Sequence, residues 1–189
     1  GWVAVNNAWI AAVRPTSRWD VQGVESLHPR GWYLVSSNHQ SWVDILVLQR
    51  IFHGHIPFLK FFLKQQLIWV PVIGLAWWAL DFPFMRRHSS AFLRKHREKR
   101  FDDLETTRRA CEKFALTPTS VMNFPEGTRF TAEKHRIEHS PYRHLLKPKA
   151  GALAQSLSVL GEKFRWLLDM TIVYPDGVPS FWQFLCGNL

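Results

Sequence analysis

A histidine and an aspartate stand close together early in the chain, at His39 and Asp44. They follow the apolar run 31–37, which is rich in β-forming residues and predicts a buried strand. The next residues, 42–48, predict a helix, so His39 lies at a strand-to-helix junction of the kind where α/β proteins build sites. A histidine with a carboxylate one turn further on can act as a general base and the group that orients it. The alternative is that His39 caps the helix and Asp44 is an ordinary acid of its first turn.

A second group of polar residues lies in the segment Phe124–Arg129, which reads Phe-Pro-Glu-Gly-Thr-Arg. It follows a short β-like run at 119–123, and its composition is that of a turn. The carboxylate of Glu126 could accept hydrogen bonds from hydroxyl groups. The guanidinium of Arg129 offers a forked set of donors that suits a phosphate. An ordinary surface turn with an ion pair is the alternative.

Length and composition favour one globular domain over residues 1–189, with a formal net charge of +9 that suits an anionic partner. Ten Trp and fourteen Phe could belong to a core or to a membrane interface. Residues 1–13 carry no charge, and we expect residues 1–15 to form a membrane-associated segment that is too short to span a bilayer. Cys111 and Cys186 could pair only with each other, which makes a reducing compartment the default.

Residues 56–64 carry Lys60 and Lys64 among apolar residues, and they are followed by an uncharged Trp- and Leu-rich run at 65–80. It is short for a membrane span and is interrupted by proline and glycine. Buried core is the common explanation for such a run. The run could also line a groove for an acyl chain and touch a bilayer, with the two lysines reaching toward lipid headgroups.

A basic block follows and begins at Arg86 and Arg87, with Glu98 as its only acid up to Arg100. A solvated helix face is the usual explanation for such a block. Arg86 and Arg87 could instead hold a substrate phosphate, and the later charges could meet anionic lipid, a coenzyme A phosphate or an acidic acyl carrier protein. Nucleic acid is a weaker candidate, because no reader module is recognisable.

The spacing of His135, Glu138 and His139 matches an inverted zinc-hydrolase pattern. Its flanks are polar, Pro141 follows at once and no third ligand is evident downstream. We therefore interpret this segment as a polar loop and predict no metal site.

The predicted elements alternate between strands and helices along the chain. This order predicts an α/β domain with helices on both sides of a mixed central sheet. The strands are expected at 19–23, 31–37, 119–123 and 166–174, and the helices at 42–48 and 152–160.

Taken together, four segments resemble the motifs of the glycerolipid acyltransferases, typified by the 1-acylglycerol-3-phosphate acyltransferases. Asn38, His39 and Asp44 match the first motif, Asn-His-x4-Asp, and Phe124–Arg129 match the third at every position. The run 82–87 resembles the second, with Arg87 at its basic position, and 171–175 resembles the fourth. The runs around Arg129 and Lys149 look more like the lysophospholipid and lysocardiolipin branch than the compact bacterial type.

The resemblance implies an α/β fold with an N-terminal helical membrane element, at the cytoplasmic face of an inner or endoplasmic-reticulum-type membrane. It implies that His39 is the base, that Asp44 orients it, and that an acyl group passes directly from acyl-CoA or acyl carrier protein to a lysophospholipid. Ser41 is then not needed as a nucleophile, and no cofactor is expected. A peripheral anionic-lipid-binding module without chemistry is the alternative. The expected substrate-binding residues are Arg86, Arg87, Glu126, Gly127, Thr128, Arg129 and Lys149.

Overall fold

The computed structural model describes residues 1–13, 18–61, 63–70, 73–80, 82, 84–85, 105, 108, 114 and 116–187. Their centre is a four-stranded sheet in the order β2-β5-β1-β6. A separate two-stranded sheet joins β3 to β4. The strands are β1 (Tyr33–Ser37), β2 (Leu59–Phe61), β3 (Leu63–Lys64), β4 (Phe84–Met85), β5 (Ser120–Asn123) and β6 (Trp166–Met170).

The expected mixed sheet is wrong for the described strands, because all three pairings of the central sheet are parallel. Parallel neighbours need crossover connections, and the chain supplies a helix between β1 and β2 and another between β5 and β6. The first connection passes over β5, whereas the second passes over β1 in the opposite direction. The carboxyl ends of β1 and β5 therefore flank a topological switch point, where open α/β sheets bind ligands.

Helices cover both faces of the sheet, as the sequence predicts. On one face, the side chains of Tyr33 and Val35 pack with those of the helix that follows β1 and with Ile10 of the first helix. On the other face, Leu34 and Val121 pack with Leu160. The helices are α1 (Trp2–Val13), α2 (Val43–Ile51), α3 (Ile73–Ala79), α4 (Ala132–Glu138), α5 (Ala150–Leu160) and α6 (Phe181–Leu185), with a 3₁₀ turn at Gln65–Trp69.

The N-terminal segment forms a helix that packs against the body of the domain. Ile10 of α1 is almost fully buried, and Arg50 of α2 donates a hydrogen bond to the carbonyl oxygen of Asn7 at 3.2 Å. Trp9 contacts Phe184 of α6, with 5.9 Å between the ring centroids. In the part of the chain that the structure describes, no helix combines the length and apolarity needed to cross a bilayer. Membrane association of residues 1–15 stays a prediction.

The uncharged run beyond Gln65 presents large apolar side chains to solvent. Trp69, Leu75 and Trp78 are 84%, 66% and 62% exposed. The same run also contributes to the core, because Trp77 packs against the main cluster. Burial in the core thus holds for part of the run, and the acyl groove with a bilayer contact stays a prediction.

Three element predictions differ from the structure. Residues 19–23 form no strand, and the Trp19 ring instead lies 5.0 Å from the Arg50 guanidinium. The segment interpreted as a polar loop contains helix α4, because the Thr131 hydroxyl accepts a hydrogen bond from the Lys134 N–H and caps it. The last strand ends at Met170 rather than at residue 174.

Candidate active site

The loop that leaves β1 brings His39 and Asp44 into direct contact. Nδ1 of His39 lies 2.9 Å from Oδ2 of Asp44. Asp44 is in the first turn of α2, where no side chain caps the helix at Trp42. Its carboxylate instead bends back and accepts the backbone N–H groups of Gln40, at 2.6 Å, and Ser41, at 2.9 Å. The alternatives of a capping histidine and an ordinary first-turn acid do not describe this arrangement.

The carboxylate of Asp44 is completely buried, and both of its oxygens accept hydrogen bonds. Oδ2 accepts hydrogen bonds from the His39 ring and from the backbone N–H groups of Gln40 and Ser41. Oδ1 accepts a hydrogen bond from the hydroxyl of Tyr174 at 2.6 Å. Burial by itself would raise the pKa of Asp44, but the hydrogen bonds from His39, Tyr174, Ser41 and Gln40 outweigh it and leave the pKa below its ordinary value. Burial, followed by the bond to Asp44, raises the pKa of Tyr174. Asp44 is thus a carboxylate at neutral pH.

The imidazole ring of His39 is held on one face by Phe124, with ring centroids 3.9 Å apart and planes within 13° of each other. Its side chain is 13% exposed. Because Asp44 is ionised, Nδ1 carries the proton of the bond between them, and Nε2 is the nitrogen that can act as a base.

Glu126 ties the loop after β5 to the backbone of His39. One carboxylate oxygen accepts the N–H of His39 at 3.0 Å, and the other accepts the N–H of Leu146 at 2.7 Å. The N–H of Phe130 donates to the carbonyl of His39 at 2.7 Å. Glu126 is buried, and both of its oxygens are used by the protein itself. Two segments that the sequence singles out separately therefore form one site.

The third segment at the site follows β6. The Asn38 side chain makes two hydrogen bonds to Ile172, accepting its N–H at 2.8 Å and donating to its carbonyl at 2.9 Å. The hydroxyl of Ser41 donates to the carbonyl of Pro179 at 2.6 Å and accepts the N–H of Val43. Ser41 is therefore engaged in holding the loop.

Arg129 is an exposed residue of the turn after β5. Its guanidinium carbon is 5.2 Å from the centroid of the half-exposed Trp42 ring, a cation–π contact. Lys134 of α4 fixes the same turn, because its ammonium group donates to Thr128 Oγ1 at 2.8 Å and to the Arg129 carbonyl at 3.0 Å. The turn itself requires Gly127, whose φ of +67° lies in the left-handed region.

Lys149 reaches the same turn from the start of α5. Its backbone N–H donates to the carbonyl of Pro125 at 2.7 Å, and its ammonium group pairs with Glu138 at 3.3 Å. The structure thus brings Lys149 to the turn that holds Glu126, Gly127, Thr128 and Arg129, and Glu126 joins this turn to the backbone of His39. The predicted phosphate ligands Arg86 and Arg87 lie outside the described residues.

The residues of the zinc-hydrolase pattern have other contacts. Nε2 of His135 donates to the carbonyl of Tyr142 at 2.6 Å, and Glu138 pairs with Lys149. Within the described ranges no group of three or more His, Cys, Asp or Glu side chains could hold a metal ion.

Sequence reasoning missed two side chains that contact the His39–Asp44 pair. Tyr174 lies 130 positions beyond Asp44, and a local spacing cannot reveal such a partner. Its only sequence signal is its place in the fourth motif-like run, next to Pro175. Phe124 was recognised as part of a motif, but its ring contact with His39 was not foreseen.

Comparison with known proteins identifies the family of the chain. The acyltransferase family model matches residues 18–174, which include every contact described above except those with Pro179 and with helices α1 and α6. This chain belongs to the acyltransferase family. No solved structure gives a significant match to it.

Several curated relatives of this acyltransferase are 1-acyl-sn-glycerol-3-phosphate acyltransferases. The epsilon form of Mus musculus is 25% identical over 177 residues, which cover 79% of this chain and 45% of that protein. The Saccharomyces cerevisiae enzyme is 34% identical over 114 residues, or 60% of this chain and 33% of the relative. The alpha form of Ovis aries is 29% identical over 113 residues, or 59% and 34%. The chain spans less than half the length of these relatives.

Proposed function

We propose that this acyltransferase moves a fatty acyl group from an acyl thioester to the free hydroxyl of a lysophospholipid. The observation that supports this most directly is the 2.9 Å contact between His39 and a buried, ionised Asp44 at the switch point of the sheet. The acceptor that we propose first is 1-acylglycerol-3-phosphate, which would give phosphatidic acid. Lysophosphatidylglycerol and lysocardiolipin are the alternative acceptors, and acyl-CoA and acyl carrier protein are the alternative donors.

In the proposed reaction, Nε2 of His39 takes the proton of the acceptor hydroxyl while the hydroxyl oxygen attacks the thioester carbonyl carbon. The tetrahedral intermediate then expels the thiolate as the carbon–sulfur bond breaks, and the imidazolium returns the proton to the sulfur. Asp44 holds the tautomer and stabilises the imidazolium. A general base of this kind contributes roughly 10²–10⁴-fold to a rate.

We propose direct transfer without an acyl-enzyme. A thioester is already activated, so no protein nucleophile is needed. The nearby Ser41 is buried, and its hydroxyl donates to the Pro179 carbonyl at 2.6 Å. A covalent acyl-Ser41 would contradict this part of the proposal.

We propose that Arg129, together with Arg86 and Arg87, binds the acceptor phosphate. The exposed guanidinium of Arg129 stands on the Trp42 ring at the edge of the site, and Lys149 adds a second cation to the same turn. Such clamps act by positioning, which can contribute as much as the base. For Glu126 we favour an ordering role over contact with the acceptor hydroxyl, because both oxygens already accept backbone N–H groups.

We propose that the acyl chain is received by an apolar cleft of about 300 Å³ between α1, the end of α2 and β2. A row of aromatic rings in contact with one another extends from His39 to this cleft. Phe124 contacts Phe61, Phe61 contacts Phe82 and Phe82 contacts Phe58, with centroids 5.7–6.2 Å apart at each step. Phe58 lines the cleft together with Trp2, Phe52 and Leu80.

The test is acyl transfer from labelled oleoyl-CoA to lysophosphatidate in detergent, with the wild type beside His39→Ala. We expect product from the wild type and a loss of about 10²–10⁴-fold in the variant. His55→Ala is the matched control, because His55 is exposed and lies after α2, away from the base.

Product from both proteins would contradict the role of His39. No product from the wild type would lead to a panel of lysolipids and acyl carrier protein thioesters. Failure of the whole panel, with binding to anionic vesicles retained, would replace the proposal by the non-catalytic lipid-binding module.

A further inference from the structure

Tyr174 lies just beyond the end of β6 and contacts the carboxylate that orients His39. We propose that Tyr174 is a positioning residue: its hydroxyl holds Oδ1 of Asp44, so that Oδ2 stays aligned with His39. This inference deepens the proposed function. Its first test, however, needs no substrate and can fail or succeed independently of it.

The hydrogen bonds of Asp44 divide between its two oxygens. Oδ2 accepts from His39 and from the backbone N–H groups of Gln40 and Ser41, whereas Oδ1 accepts from the Tyr174 hydroxyl at 2.6 Å. Asp44 is fully buried, so bulk water cannot take the place of the phenol. A carboxylate held at both oxygens cannot turn away from the imidazole without breaking a charge-assisted bond.

The position of Tyr174 is set by the sheet. Strand β6 pairs with β1 in parallel register from Tyr33 and Trp166 onward. The pairing is continued by the two hydrogen bonds between Asn38 and Ile172. Ile172 is two residues before Tyr174, so the register fixes where the phenol stands, and its ring packs at the margin of the main core.

The bond also has an electrostatic consequence. A phenol that donates to a carboxylate neutralises part of its charge, which weakens the attraction between that carboxylate and an imidazolium. Loss of the phenol in Tyr174→Phe should therefore strengthen that attraction. Among the described residues, the other ionisable groups around the pair are Glu126, which accepts the His39 backbone N–H, and Arg129, which stands on the neighbouring Trp42.

The test is the pH titration of the His39 ring protons by NMR in the wild type and in Tyr174→Phe. His39→Gln identifies the signal. We expect the midpoint of His39 to move upward by about half a pH unit when the phenol oxygen is removed. Tyr142→Phe removes the same atom from an exposed tyrosine and should leave the midpoint unchanged. An unchanged or lowered midpoint in Tyr174→Phe would overturn the proposal.

Kinetics give the second readout. For Tyr174→Phe we expect kcat to fall by about tenfold with little change in KM, and the acidic limb of the pH profile to move upward with His39. In an Asp44→Asn background the same substitution should have no further effect on kcat. If kcat fell equally at every pH and the acidic limb of the pH profile did not move, Tyr174 would have a merely structural role.

The wild type alone supplies a third readout in case the variant does not fold. A hydroxyl proton in a 2.6 Å bond to a buried carboxylate should exchange slowly with water and resonate downfield. The absence of any such proton would contradict the bond on which the proposal rests.

Discussion

Asp44 shows how a single buried acid is kept ionised by its surroundings. Burial opposes the charge, and four donors from two parts of the chain outweigh burial. Removal of the charge should therefore be costly, because the amide of Asn has a single oxygen and cannot accept hydrogen bonds at both of the positions that Asp44 fills. For Asp44→Asn we expect a loss of about 2–4 kcal/mol in the free energy of unfolding at neutral pH. Urea denaturation would measure it, with the exposed Asp176→Asn as control.

The lowered pKa of Asp44 also predicts the pH dependence of stability. A carboxyl whose pKa is lower in the folded than in the unfolded state stabilises the fold above the unfolded value. That stabilisation disappears as the pH falls through the folded value. We expect the unfolding free energy of the wild type to decline from about pH 5 downward, and that of Asp44→Asn to decline less steeply. Parallel curves for the two proteins would contradict this assignment.

Trp42 gives a second prediction at the residue scale, because its ring supports the Arg129 guanidinium. Exposed cation–π contacts contribute about 0.5–1 kcal/mol, so Trp42→Leu should raise KM for a phosphate-bearing acceptor by roughly two- to fivefold. We expect kcat to change little. Trp166→Leu, at an equally exposed tryptophan on β6, is the matched control. A fall in kcat at constant KM would show that Trp42 acts on the chemistry rather than on the phosphate.

At the scale of elements, the turn between β5 and α4 depends on Gly127. Its φ is +67°, and a Cβ built there would lie 3.4 Å from Cδ of Lys149. We expect Gly127→Ala to destabilise the protein by about 1–2 kcal/mol and to weaken acceptor binding, since Arg129 follows on the same turn. Thermal unfolding and KM would be measured together. Gly151→Ala, where a Cβ meets no atom within 4 Å, should leave the melting temperature unchanged or slightly higher.

The elements also show what sequence reasoning can reach. The runs before His39 and before Phe124 are apolar and β-rich, and both form buried strands. Thr131 and Lys134 instead lie in a polar segment whose composition resembles a loop, and only the cap observed in the structure identifies the helix. Residues 19–23 have a strand-like pattern. A strand also needs a neighbouring strand to pair with, and the sequence of one segment does not specify that neighbour. Contacts within a few residues, such as His39 to Asp44, were predictable, whereas those set by sheet register, such as Tyr174, were not.

At the scale of the whole molecule, the exposed aromatic residues beyond β3 suggest how the protein meets its substrates. Trp69 and Trp78 of the uncharged run 65–80 are exposed, and Leu80 at its end lines the apolar cleft. Tryptophan is favoured at membrane interfaces, and the net charge of +9 suits an anionic surface. We expect the double variant Trp69→Ser and Trp78→Ser to bind phosphatidate-containing vesicles several-fold more weakly in sedimentation assays.

A matched control for this experiment is Trp182→Ser, which removes an equally exposed tryptophan from α6. Acyl transfer in detergent should be unaffected by the double variant, because neither residue contacts the catalytic pair. Equal vesicle binding by the double variant and the control would indicate that the protein meets lipid through another face.

The order of the strands has a consequence for the synthesis of the protein on the ribosome. His39 and Asp44 emerge early, but the strand that pairs with one side of β1 ends at Met170, and the hydroxyl that holds Asp44 comes four residues later. Until those residues are synthesised, β1 has no partner strand on that side, and the carboxylate of Asp44 lacks the hydrogen bond from Tyr174. A nascent chain that stops short of this point carries all the residues of the first and third motifs without the contact that completes the His39–Asp44 pair. With His39 as the base that we propose, activity would arise late and abruptly during translation, rather than growing with the length of the chain.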